Sequence, residues 1–262
     1  MHNAITYSFH VGHGSLEDHR CFKQMIYSVT TLRKFNKTIP VNVYIAPVEV
    51  VPNLSKYDYL GINFIPFNNT PDNYGTDWYK TWLDLGYAEF LYHRWVNAYR
   101  SLREFKYDNV LYLDTDTVFH KDPELLFNKY GNTEYVWARE DNSYGIMNKL
   151  GITDGMNDGQ FIISKNILKH EKESLENLRK YTNITLENME GFLTGEEHLS
   201  LHWLCVQYAM FNYFSKIGVP IKYFDHSEVM LHIEPEHNDN INLILHHYYN
   251  GNSYKFIPPE FW

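Results

Sequence analysis

The sequence predicts an α/β fold in which a central, mostly parallel sheet is flanked by helices. The chain opens with a strand–helix–strand pattern, and its middle holds the fully apolar segment Val110-Leu111-Tyr112-Leu113. Such a segment is typical of a parallel strand that is buried on both faces. With 262 residues, of which 44% are hydrophobic and 21% charged, the chain is long enough and apolar enough to bury a large core.

The N-terminal segment predicts a βαβ unit. Ile5–Phe9 is a short apolar and β-branched run, Phe22–Phe35 is amphipathic, and Val41–Ala46 alternates apolar with polar residues. A third strand is predicted at Ile62–Phe67, because the turn-forming residues 68–73 follow it directly.

A long helix is predicted before the apolar strand. Apolar residues recur at three- and four-residue spacing over Trp78–Phe105, with one break near Gly86. Weaker patterns after the strand predict further elements, which are strands at Tyr135–Ala138, Gln160–Ser164, Ile221–Phe224 and Ile241–Leu245 and helices at about Asn166–Tyr181 and Glu196–Phe214. No linker rich in Gly, Ser or Pro divides the chain, so we expect a single domain over residues 1–262.

The charge balance excludes one class of partner. The 32 acidic and 23 basic side chains give a formal net charge of −9, which repels a nucleic-acid backbone. A phosphorylated small molecule would need some other source of positive charge, and a divalent cation is the obvious one. We therefore expect no nucleic-acid partner.

Cysteine content and hydropathy indicate a cytoplasmic protein. Cys21 and Cys205 are far apart and form no CxxC pair, so neither a disulfide framework nor a zinc ribbon is expected. The N-terminus has no signal-peptide pattern, and no window approaches the ~20 apolar residues that span a bilayer. The oligomeric state stays open.

Two carboxylates follow the apolar strand directly, at Asp114 and Asp116. In an open parallel sheet, ligands bind beyond the carboxyl ends of the strands. Two carboxylates at this spacing point the same way on an extended segment, and hard oxygen donors suit Mg²⁺ or Mn²⁺. The alternative is a turn in which the aspartates hydrogen-bond their own backbone, and the preceding buried strand disfavours it.

These residues carry a resemblance to a known family. The segment Val110–Val118 resembles the DxD signature of GT-A glycosyltransferases, and the chain is most similar to family 8, the glycogenin and bacterial galactosyltransferase type. Three further segments agree in order along the chain, Tyr92-His93-Arg94-Trp95 before the DxD, Asn157-Asp158-Gly159 after it and Leu245-His246-His247-Tyr248 near the C-terminus. The resemblance covers most of the chain and implies the GT-A fold.

The resemblance implies a metal-dependent transfer of a sugar from a nucleoside-diphosphate sugar, with a UDP-sugar favoured, to a glycan or another hydroxyl acceptor. Residues 1–118 would then form the nucleotide-binding half, and residues 119–262 the half that completes the metal and acceptor sites. Asp116 and a C-terminal histidine would hold Mn²⁺ or Mg²⁺, with His246 slightly favoured over His247 because Ile244-Leu245 leads straight into it. Asp114 would share the ion or hold the ribose and donor sugar.

The other implied contacts surround the donor. Arg94 resembles the arginine that approaches the sugar nucleotide, and the first strand would carry the nucleoside, with Thr6, Tyr7 and Ser8 as candidates. His10 and His13 lie in the Gly-rich loop after that strand, where phosphates bind more naturally than zinc, and one of them would contact the diphosphate.

Two acidic residues are candidates for catalysis. Asp158 would contact the donor sugar or the acceptor, although a capping role in a turn is the structural alternative. Glu196 is the better catalytic candidate of the pair Glu196-Glu197, because Thr194 and Glu197 form a capping-box pattern. In an inverting enzyme, Glu196 would act as a general base on the acceptor hydroxyl. Retention and inversion both stay open.

Two rival functions fit part of the pattern. The segment Asp114-Thr115-Asp116-Thr117-Val118 also satisfies the nucleophile motif of haloacid-dehalogenase-type phosphatases, in which Asp114 would be phosphorylated. That motif normally lies on the first strand, whereas a whole βαβ region precedes it here. The second rival is a sugar-nucleotide- or glycan-binding protein that keeps the metal site and lacks turnover.

Overall fold

A computed structural model describes residues 1–10, 16–46, 54–67, 88–140, 155–178, 207–208, 210–231, 242–248 and 258–261. Two sheets run through these residues. The larger has seven strands in the order β3-β2-β1-β4-β7-β6-β8. In chain order these are β1 (Asn3–His10), β2 (Val41–Ala46), β3 (Ile62–Pro66), β4 (Asn109–Leu113), β6 (Val136–Glu140), β7 (Met156–Ser164) and β8 (Ile221–Tyr223).

The large sheet is mostly parallel, as the sequence predicts. Strands β3, β2, β1 and β4 are parallel to one another, β7 runs antiparallel to both β4 and β6, and β8 is parallel to β6. The chain leaves β1 outward to β2 and β3 and then returns to place β4 on the other side of β1. This reversal is a topological switch point, where open α/β sheets bind ligands beyond the strand ends.

The small sheet brings the C-terminal part of the chain to this same edge. Its strands are β5 (Thr117–Phe119), β9 (Val229–Leu231) and β10 (Leu245–His247), in the order β5-β10-β9. Since β5 starts four residues after β4 ends, a short loop connects the large sheet to the small one.

Three α-helices have bounds within the described residues, and two of them cover opposite faces of the large sheet. These are α1 (Arg20–Phe35), α2 (Ala88–Phe105) and α3 (Glu124–Tyr130). Helix α1 packs residues such as Met25 and Val29 with Leu111 of β4, while α2 packs Trp95 and Leu102 on the other face. Short 3₁₀ turns occur at Ser55–Leu60, Lys165–His170 and Pro259–Phe261, and residues 171–178 and 210–216 are helical.

Helix α1 shows how local sequence sets the boundaries of an element. His19 caps its start, because the Nδ1 atom accepts a hydrogen bond from the Cys21 amide at 3.2 Å. Asn36 ends it in an extended conformation, and its side chain accepts from the amides of Thr38 and Ile39. The apolar residues between repeat every three or four positions, so one face of the helix is buried.

The C-terminal strand prediction is shifted. The sequence predicts a strand over Ile241–Leu245, but β10 begins at Leu245, where pairing with Phe119 of β5 and Val229 of β9 starts. Strands β5 and β9 and helix α3 are short elements that the sequence pattern does not predict. None of the helices within the described ranges is long and apolar enough to cross a membrane.

Candidate functional site

Two aspartates lie where the large and small sheets meet. Asp114 follows β4, and its backbone amide donates to the Gly159 carbonyl of β7 at 2.7 Å. Asp116 precedes β5, and its backbone carbonyl accepts from the Tyr248 amide at 2.9 Å. Backbone hydrogen bonds thus tie each aspartate to a segment that is distant in sequence.

A histidine completes a cluster with these carboxylates. His247 Nε2 lies 2.9 Å from Asp116 Oδ1 and 3.6 Å from Asp114 Oδ2. Each of the three residues offers one ligand atom, and these three atoms lie within 4.8 Å of one another. In octahedral coordination with bonds of about 2.1 Å, neighbouring ligand atoms are about 3.0 Å apart and opposite ones about 4.2 Å apart. Two carboxylates and an imidazole at these spacings fit Mn²⁺ or Mg²⁺ after small side-chain adjustments.

The structure brings His247, rather than His246, to the carboxylates, which corrects the slight sequence preference for His246. Side chains alternate along a strand, so neighbouring residues on β10 face opposite sides of the small sheet. The His246 ring lies 3.9 Å from the Tyr248 ring, and 6.1 Å from the His120 ring, between centroids. The sequence contains both histidines, but only the register of β10 distinguishes them.

Arg94 links the cluster to a second, buried carboxylate. Its Nη2 atom lies 3.0 and 3.1 Å from the two oxygens of Asp114, and its Nη1 atom donates to Asp158 Oδ1. The same Asp158 oxygen accepts from Gln207 Nε2 at 3.1 Å. Asp158 has no exposed surface, so its carboxylate faces the interior and touches the site through Arg94.

Burial and neighbouring charges shift the pKa values of the cluster. Burial lowers the pKa of His247, but Asp116 and Asp114 more than offset this, so that the pKa of His247 is raised. Burial raises the pKa of Asp114, against the opposing effects of Arg94 and His247. Burial lowers the pKa of Arg94, and the two aspartates that it touches raise it by more. The cluster therefore favours a positive charge between the carboxylates.

Gly159 leaves room for the Asp114 carboxylate. A Cβ atom added at Gly159 would overlap Asp114 Oδ2 and would lie 2.9 Å from Asn157 Oδ1. Asn157 accepts a hydrogen bond from the Gly159 amide at 2.9 Å, which fixes this stretch of β7. Only glycine lets β7 approach the carboxylate this closely.

The side chains of the three nucleoside candidates on β1 are buried and hydrogen-bonded inside the fold. Thr6 donates to Ser101 at 2.9 Å, the Tyr7 hydroxyl pairs with Ser28 at 2.8 Å, and Ser8 pairs with Tyr112 at 2.8 Å. Burial raises the pKa of Tyr7. Their side chains thus serve the packing of β1 against α1, α2 and β4.

The remaining candidates are His10, His13 and Glu196. His10 is the last residue of β1, on the strand next to β4. His13, Glu196 and residues 78–87 of the predicted long helix lie outside the described residues. Gln207, by contrast, is a site residue that sequence reasoning missed, because nothing in the linear pattern separates it from any polar residue of a helix.

Comparisons with solved structures identify the fold of the chain. The chain is similar to the galactosyltransferase LgtC, solved with donor and acceptor sugar analogs, with 15% identity, a TM-score of 0.54 and coverage of 95% of this chain and 87% of that one. It is also similar to mouse xyloside xylosyltransferase 1, with 10% identity, a TM-score of 0.59 and coverage of 95% and 98%.

A third similar structure is the glycosyltransferase GlyE of Streptococcus pneumoniae TIGR4, at 15% identity and a TM-score of 0.54, with coverage of 95% of this chain and 56% of that one. No protein-family model matches the sequence, and no curated protein matches it. The likeness therefore lies in the arrangement of the backbone, and the resemblance predicted from the DxD segment is confirmed as a likeness of fold. This chain has the GT-A glycosyltransferase fold.

Proposed function

We propose that this protein is a metal-dependent glycosyltransferase, which moves a sugar from a nucleoside-diphosphate sugar to a hydroxyl group of a glycan or another acceptor. One observation carries the proposal. Asp114, Asp116 and His247 converge at the switch point of a fold that solved glycosyltransferases share. A UDP-sugar is the favoured donor, and the proposed location is the cytoplasm.

The metal would be Mn²⁺ or Mg²⁺, held by Asp114, Asp116 and His247. When bound, such an ion offsets the negative charge that builds up on a leaving nucleoside diphosphate. The chain's own residues supply the geometry. Arg94 fixes the Asp114 carboxylate through both of its oxygens, and the backbone amide of Tyr248, directly after β10, holds the backbone carbonyl of Asp116.

The donor would lie along the edge formed by the ends of β1 and β4. Because the side chains of Thr6, Tyr7 and Ser8 are occupied inside the fold, any contact of β1 with the nucleoside would come from its backbone or from residues at its end, where His10 lies. For the acceptor, Glu196 remains the proposed general base of an inverting reaction. Asp158 is proposed to act on the site through Arg94, since it is fully buried.

Thermal unfolding tests this proposal. The purified protein is heated with UDP, GDP and their sugars, each with Mn²⁺ and with EDTA. A ligand at about 100 times its Kd should add about 2.7 kcal/mol to the free energy of unfolding. We expect a stabilisation that requires Mn²⁺ and is specific for one nucleoside diphosphate, the favoured one being UDP.

The Asp116→Ala variant is the matched control. We expect this variant to be folded but to lose the Mn²⁺-dependent stabilisation, because Asp116 is the carboxylate closest to His247. Stabilisation of this variant by Mn²⁺ and nucleotide equal to that of the wild type would overturn the metal site. Binding without transfer or hydrolysis of any donor would favour the glycan-binding rival, and no binding at all would call for a phosphatase substrate screen.

A further inference from the structure

Charge is the unusual feature of the buried side of the site. Arg94 is a buried cation in direct contact with Asp114, which is one of the proposed metal ligands. A cation at this place opposes the binding of a second one, and in the protein interior such a repulsion is much stronger than in water. Arg94 orients the carboxylate but, without compensation, would weaken the site.

Asp158 lies on the far side of the same guanidinium. Arg94 Nη1 donates to Asp158 Oδ1 while Nη2 faces Asp114, so the guanidinium bridges the two carboxylates. Asp158 is fully buried, and Gln207 supplies a second donor to the same oxygen at 3.1 Å. Burial raises the pKa of Asp158, and the Arg94 guanidinium and the Gln207 amide oppose that rise. These two donors therefore favour the ionised carboxylate.

We propose that Asp158 is the counter-ion of Arg94 and thereby sets the affinity of the site for a divalent cation without touching it. Metal binding requires ionised carboxylates and a neutral His247. In that state Asp114, Asp116 and Arg94 together carry a single negative charge, and an ionised Asp158 raises this to two, which matches the charge of the ion. Asp158 is thus a positioning residue that acts through Arg94. This inference rests on the proposed metal-dependent function and deepens it.

The Asp158→Asn variant isolates the charge. The Asn side chain keeps an oxygen that can accept from both Arg94 and Gln207, so the hydrogen bonds to Oδ1 survive while the negative charge is lost. We expect isothermal titration with MnCl₂, in the absence of nucleotide, to show affinity reduced by about tenfold or more. Circular dichroism before the titration checks that the variant is folded.

Asp108→Asn is the matched control. It makes the same charge change at the opposite end of β4, roughly 20 Å from Asp114 at about 3.3 Å per residue, in a side chain paired with Lys165. Its affinity for Mn²⁺ should stay within about twofold of the wild type, because the charge is partly exposed and distant. An equal loss of Mn²⁺ affinity in both variants would show that only the net charge of the protein matters, and it would overturn the inference.

The double variant Arg94→Met with Asp158→Asn separates charge from structure. It removes both charges, so the charge account requires it to bind Mn²⁺ more tightly than Asp158→Asn alone. A purely structural role predicts a further loss, because two buried contacts are missing instead of one. If the single variant fails to fold, the double variant decides. Binding within about threefold of the wild type supports the charge account, and a loss above about tenfold overturns it.

Different results would overturn the metal-dependent function and the counter-ion role of Asp158. Absence of Mn²⁺ binding by the wild-type protein would overturn the metal-dependent function, and this inference with it. Binding by the wild type and by Asp158→Asn with equal affinity would overturn the counter-ion role alone and leave the proposed function standing.

Discussion

His246 and His247 are neighbours in the chain, yet the extended backbone of β10 directs their imidazoles to opposite faces of the small sheet. His247 meets Asp116 at 2.9 Å, whereas His246 lies against the Tyr248 ring. The two residues have the same chemistry and nearly the same burial. They are therefore a natural pair for comparing a metal-binding role with a packing role.

We expect His247→Ala to lose the Mn²⁺-dependent rise in melting temperature, because it removes one of three proposed ligands. His246→Ala should keep that rise and lose on the order of 2 kcal/mol of stability, because it opens a cavity beside Tyr248. Thermal unfolding of both variants with Mn²⁺ and with EDTA checks this. The reverse pattern would assign the ligand to His246.

The absence of a Cβ atom at Gly159 leads to a second prediction. Gly159→Ala should displace the Asp114 carboxylate, because the added Cβ would overlap Asp114 Oδ2, and should thereby weaken Mn²⁺ binding. Gly218→Ala is the control, since its φ of 72° strains an alanine by about 1 kcal/mol while nothing lies within 4 Å of the new Cβ. Calorimetric titration with MnCl₂ should show loss in the first variant only. Equal affinities would show that β7 can shift away from Asp114.

At the scale of elements, helix α2 is held over the sheet by stacked aromatic rings. Phe161 of β7 lies between Trp95 of α2 and Tyr112 of β4, with centroid distances of 4.1 and 5.0 Å and interplanar angles of 8° and 13°. All three rings are fully buried. The stack fixes α2 beside β4 and β7, and Arg94 precedes Trp95 in α2, so this packing also places the guanidinium.

The stack should be one of the most costly places to open a cavity. Phe161→Ala is expected to lose about 3–5 kcal/mol in urea unfolding, since a buried ring and two stacked contacts disappear. Phe105→Ala, in which a partly buried ring stacked on Tyr107 is removed, should lose on the order of 1 kcal/mol. Similar losses in both variants would show that the structure closes around the space left by Phe161.

The elements also differ in how far local sequence predicts them. Strand β2 has its predicted bounds, and α1 and β4 differ from theirs by one or two residues, because strong apolar patterns and capping residues define them locally. Strands β5, β9 and β10 have three residues each and exist through pairing with one another. A three-residue strand has no periodicity to detect, so its position depends on partners far away in the chain.

For the whole molecule, the fold should not depend on the metal. The two main apolar clusters on the faces of the large sheet, one around α1 and one around α2, consist of hydrophobic contacts. We expect EDTA to leave the far-UV circular dichroism and the cooperativity of unfolding unchanged, while adding Mn²⁺ raises the melting temperature. This differs from zinc fingers, which unfold without their ion. Unfolding on addition of EDTA would show that the Asp-Asp-His cluster is a structural site.

The sequence by itself determined the fold class, the position of Asp114 and Asp116 at the end of a buried strand, and the resemblance of several short segments to one family. These features are local, because they depend on apolar periodicity and on residues adjacent in the chain. Only the tertiary structure decided that His247 faces the carboxylates and that Gln207 joins the site. It also decided that Asp158 is buried behind Arg94. Side-chain direction depends on strand register and on packing between distant segments, and a linear pattern contains neither.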